Sequence, residues 1–109
     1  MGIGPHRPIK DIEAHLRRGE LQLATAVAKD FRREHNRPIP IGIALLFLPV
    51  VLSQRPEDYD DWACRWLARW LTETPKPTAE QAADLASGLD ELKLEPTAIT
   101  AVKTAAGVR

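Results

Sequence analysis

From Ile41 to Leu52 the chain carries no polar side chain. A helix with no solvent-facing stripe has to lie in the middle of a bundle, so every other segment must supply faces to cover it. Even counted from Ile39 to Leu52 the stretch falls short of the roughly 20 apolar residues that cross a bilayer, and Pro40, Gly42 and Pro49 interrupt it. It therefore reads as a central apolar helix over about residues 40–54, with no membrane association. Pro49 lacks the N–H that would bond the Leu45 carbonyl, and its ring crowds that carbonyl, which predicts a kink there.

The flanking segments have the period of amphipathic helices. Ile9, Ile12 and Leu16 share a face, and Gly19 ends that helix. Leu21, Ala24, Val27, Ala28 and Phe31 line the next, which His35-Asn36-Arg37-Pro38 stops. Arg55-Pro56 opens a helix running to about Thr72, with Pro56 in its first turn and Glu57, Asp58, Asp60 and Asp61 at the positive end of its dipole. On its wheel Tyr59, Trp62, Ala63, Trp66, Leu67, Trp70 and Leu71 form one arc, and Glu57, Asp61, Arg65 and Arg69 form the opposite stripe. Thr78-Ala79-Glu80-Gln81 is a capping box. Ala82, Leu85, Ala86, Leu89 and Leu92 give the buried face after it. Glu95-Pro96-Thr97 starts a last helix with Ile99, Val102, Ala105 and Ala106 inward, ended by Gly107. No segment alternates with period two, and no hairpin turn signal occurs.

The expected fold is thus all-α: one domain over residues 1–109, a compact bundle of about six helices. Residues 1–7 are expected to be a flexible N-terminal segment without a signal-peptide pattern. The expected core is Leu45, Phe47, Leu48, Val51, Trp66, Leu67, Trp70, Leu85 and Leu89, meeting in one cluster.

The pattern from Arg55-Pro56 through Tyr59-Asp60, Arg65-Trp66-Leu67 and Glu73-Thr74 to Leu89, Leu92 and Pro96 resembles that of a loose group of short, uncharacterised, all-helical proteins of high-GC bacteria. The resemblance spans about residues 39–100. It implies a cytosolic bacterial setting and a helical fold, and it carries over no functional residue.

Fifteen basic and fifteen acidic residues cancel, which argues against a nucleic-acid binder at the level of the whole chain. A single cysteine, Cys64, excludes an internal disulfide and a Cys-rich zinc site, and it reads as an inert, packed thiol. His6, His15 and His35 have no metal-ligand spacing. No Gly-rich phosphate loop is present. These readings point to no cofactor, no catalytic set and a cytoplasmic protein that is not an enzyme.

The expected function is a non-catalytic helical protein-interaction module: a small adaptor, regulator or subunit. Trp62 sits where the buried arc meets the charged stripe. Trp62, Arg65 and Arg69 are the candidate partner-binding residues, because Trp and Arg dominate interface energetics and Arg pairs bidentately with carboxylates. The bland alternative is an intrahelical charge ladder beside a core-edge indole. A second reading uses the basic segment 17–37, where Arg17, Arg18, Lys29, Arg32, Arg33 and Arg37 would contact phosphate. Interleaved Asp30 and Glu34 weigh against it. A small enzyme or ligand carrier, with a pocket between the Trp helix and the central helix, is the third. Residues 1–40 hold eight basic against five acidic side chains, and the remainder has the opposite imbalance of seven against ten. That asymmetry leaves room for head-to-tail homo-oligomers.

Overall fold

The computed structural model describes residues 6–107 and is all-α, with no strand among them. α1 (His6–Arg17) and α2 (Leu21–His35) form a hairpin around Gly19, whose φ of +73° suits a residue without a Cβ. α2 ends at Asn36 in the left-handed conformation. Of the expected N-terminal segment, residues 1–5 lie outside the described residues, and His6 and Arg7 belong to the first turn of α1.

The central apolar segment is split. α3 (Ile41–Leu45) and α4 (Phe47–Gln54) are separated by Leu46, one turn ahead of Pro49. This is where proline acts: its missing donor and its ring both affect the Leu45 carbonyl. The Leu46 N–H turns back to the Ile43 carbonyl at 3.1 Å, in the tighter 3₁₀ manner. A 3₁₀ turn, Pro56–Asp58, leads into α5 (Tyr59–Glu73). α6 (Ala79–Glu91) begins with the capping box, Thr78 and Gln81 each satisfying the other's backbone N–H. α7 (Ala98–Ala106) ends at Gly107, φ +71°.

α5 is tied to three neighbours by the polar ends of its aromatic side chains. The Tyr59 hydroxyl donates to the Leu89 carbonyl of α6. The Trp66 indole N–H donates to the Ile41 carbonyl of α3 at 2.9 Å, and that of Trp70 to the Ala106 carbonyl of α7 at 3.0 Å. Large rings thus bury apolar area while their one donor each finds a partner. The Gln54 amide similarly reaches the Gly19 carbonyl, closing α4 onto the first hairpin.

One buried cluster takes side chains from all seven helices. Eight of the nine expected core residues are in it. Leu67 is the exception: it is half-buried and only packs against the cluster. The cluster also takes Ile12, Leu16, Phe31, Tyr59 and Val102. Leu71 and Ala86, expected on buried arcs, are exposed, because no neighbour reaches those edges of α5 and α6. Cys64 is exposed too, not packed. The molecule measures 45 × 32 × 21 Å, and no helix is long and apolar enough to cross a membrane.

Candidate functional site

α2 and α5 stand as two walls beside α4, and the space between them is a groove of about 330 Å³. Its apolar surface comes from Ala28, Pro38, Ile39, Ala44, Phe47, Leu48, Trp62 and Trp66. The Phe47 and Trp62 rings stack across it, centroids 6.0 Å apart and planes 22° from parallel. Trp66 is buried, whereas Trp62 is half-buried.

Every charged side chain lining this groove is a cation: Lys29 and Arg32 from α2, Arg65 and Arg69 from α5. The remaining polar side chain, Thr25, donates its hydroxyl to the Leu21 carbonyl at 2.8 Å. Among the described residues the lining has no carboxylate, imidazole or thiol.

The four cations are held differently. Arg69 is 23% exposed; its guanidinium pairs with Glu73 and donates to the Ile39 carbonyl in the α2–α3 connector. That carbonyl lies outside any helix, so Arg69 acts as a clamp between α5 and the connector. Arg65 is 78% exposed and pairs with Asp61 on its own helix at 3.0 Å. Lys29 and Arg32 are exposed and make no ion pair among the described residues.

No family model, curated protein or solved structure matches the chain. The geometry of the groove has to carry the functional argument.

The groove joins residues that the sequence separated into rival sets. Trp62, Arg65 and Arg69 line it as one group, and Lys29 and Arg32 of the basic segment face them. The rest of that segment points elsewhere. Arg33 pairs with Asp30 at 3.0 Å. Arg18 pairs with Glu20 at 2.8 Å. The His15 side chain, with help from Arg18, holds the Glu20 carboxyl below the usual carboxylate range. Arg17 is exposed at the end of α1. Arg37 lines an adjoining depression with Ile9, Phe31, Pro40 and Glu73, which shares Pro38 and Arg69 with the groove. Pro38 and Arg69 are thus the rim that the two hollows share.

The expected ladder on α5 is only partly present. Asp61 pairs with Arg65, but Arg69 turns to Glu73, and Glu57 takes no part in the pairs formed. Ile39, Ala44 and Phe47 belong to the segment expected, in the third reading, to border a pocket with the Trp helix; Pro38 and the α2 wall are what sequence reasoning missed. A helical wheel shows which residues share a face, not which faces leave a gap between them.

Proposed function

We propose that this protein is a non-catalytic interaction module, a small adaptor or regulator that docks a segment of a protein partner in the α2/α4/α5 groove. The observation that carries the reading is the lining itself: an apolar floor edged, among the described residues, by four cationic side chains, of which Lys29 and Arg32 have no ion pair. Ligand sites combine apolar area with a few placed polar groups, and charge of one sign selects partners and speeds their encounter. A lining without nucleophile or base supports binding over catalysis. A cytoplasmic setting is part of the proposal, supported by the lone thiol of Cys64.

The experiment is position-specific photocrosslinking in the native host. A photoreactive residue at position 65 should give a discrete adduct with one protein. The same residue at position 80, on exposed Glu80 of α6, should not. Equal adduct patterns at both positions, or adducts to nucleic acid alone, would contradict the proposal.

A further inference from the structure

The chemistry of the occupant can be taken one step further, resting on the docking reading above. We infer that the groove takes an acidic amphipathic helix of a partner protein, its apolar stripe on the Phe47–Trp62 floor and its carboxylates toward Lys29, Arg32 and Arg65.

Three features converge on this occupant. The first is charge. Lys29 and Arg32 lie one helical turn apart on one wall and have no ion-pair partner among the described residues. Carboxylates one turn apart on a helix running along α2 have the same spacing. Arg65 opposite is held only by an exposed i, i+4 pair, the kind worth a few tenths of a kcal/mol and readily exchanged. Arg69 is fixed by its bonds to Ile39 and Glu73, which compensates its charge, so it shapes the wall and is not among the cations offered to the partner.

The second feature is extent. Beyond the shared rim of Pro38 and Arg69 lies the hollow bordered by Ile9, Phe31 and Arg37. Two neighbouring hollows accommodate a chain segment better than a compact small molecule. The third is the character of the walls. Both are helices, and no strand edge among the described residues offers backbone pairing. Helix against helix is the packing such a seam accepts, read as anchors at i, i+3/i+4 and i+7.

Nucleic acid is the rival macromolecule, since cations beside an indole also suit a single strand. Here the Trp62 ring already stacks on Phe47, Arg17, Arg18 and Arg33 lie outside both hollows, and Glu73 borders the second. A single strand carries a phosphate at every residue and would set one beside that carboxylate, whereas a helix can place an apolar or neutral residue there.

The test uses the full chain and a display library of amphipathic helical peptides. Their polar positions are randomised among Glu, Gln and Lys, and their apolar positions among Leu, Ile and Phe. Selection should enrich Glu-rich peptides. By fluorescence anisotropy the best of them should bind at least tenfold more tightly than its all-Gln counterpart. That advantage should shrink as salt is raised. In a Lys29→Glu/Arg32→Glu variant, checked for an unchanged helical spectrum, it should disappear or reverse toward Lys-rich peptides. Equal affinity for the Glu and Gln forms overturns the inference and leaves the docking reading standing. Recovery of no peptide at all overturns both. Tighter binding of a single-stranded oligonucleotide than of any peptide replaces the occupant with nucleic acid.

Discussion

α6 and α7 meet through small side chains: a Cβ built on Gly88 would lie 2.8 Å from Val102 Cγ2. α2 and α5 instead face each other across Phe47 and Trp62, with long cationic side chains along both edges. In the first pair, close approach leaves no room for anything else. In the second, the stacked Phe47 and Trp62 rings form an apolar floor between the walls, and the gap has a charged margin. The same helical building material thus gives a closed seam where one position has no side chain and an open one floored by aromatic residues. Charge follows the same division, for exposed Glu80, Asp84, Asp90 and Glu91 lie on α6, whereas the open seam is cationic.

The largest effect should come from removing the support beneath the open seam. Leu48 is 1% exposed and belongs both to the core and to the groove lining. Leu48→Ala should cost about 2–5 kcal/mol, through lost burial and the cavity left behind. Leu67→Ala, half-buried on the same arc as Trp66, should cost about 1 kcal/mol. Urea unfolding midpoints read both, and equal losses would show that burial does not separate the two sites.

Alkaline pH probes the closed side. Burial, reinforced by Asp60 and Asp90, pushes the Tyr59 hydroxyl up to about 12. With a folded pKa above the ordinary tyrosine value of about 10, the native state keeps a proton that the unfolded chain gives up. The associated stability is intact below about pH 10 and is lost as the pH rises toward about 12. Unfolding midpoints measured across that window should fall more steeply for the parent than for Tyr59→Phe, which has no proton there to lose. Parallel curves would remove Tyr59 from the account.

Gly88→Ala sharpens the contrast between seams. A helical Gly→Ala change ordinarily gains up to about 1 kcal/mol, but the added methyl group would overlap stiff, β-branched Val102. A net loss of about 1 kcal/mol is expected, because the overpacking outweighs the propensity. A stabilised variant would mean that the α6–α7 seam yields easily.

The two arginines of α5 should give the smallest and most instructive pair of effects. Arg69→Ala leaves the Ile39 carbonyl without its donor and should cost about 1 kcal/mol. Arg65→Ala removes an exposed pair and should cost at most about 0.5 kcal/mol. Thermal unfolding of both variants checks the order, and identical values would undo the distinction between clamp and mobile cation.

Much of this architecture is written locally. The capping box at Thr78, the stops at Asn36 and Gly107, and the burial of Trp66 and Trp70 follow from residue types and phase along one helix. The break at Leu46 follows from Pro49, once its effect is assigned to the carbonyl four residues back. What periodicity could not give is the relation between helices. Leu67 and Leu71 have the same phase as buried neighbours, yet at the edge of α5 Leu67 is covered only in part and Leu71 is left exposed. Ile12 and Leu16 join the core only because the Gly19 turn folds α1 back beside it. The groove is legible least of all, since Lys29 and Trp62 become neighbours through the separation of α2 and α5, and neither helix encodes that alone.

Three tryptophans on one helix provide the most direct measurement. In a ¹⁵N-labelled full chain the three indole N–H signals report separately on the groove, on the α3 junction and on the α7 junction, through Trp62, Trp66 and Trp70. The tightest acidic peptide from the library should move the Trp62 signal saturably, with the amides around Lys29, Arg32 and Phe47, while Trp70 stays in place. A bound peptide that moves Trp70 and the α6–α7 amides and leaves Trp62 untouched would contradict the assignment of this groove as the docking surface.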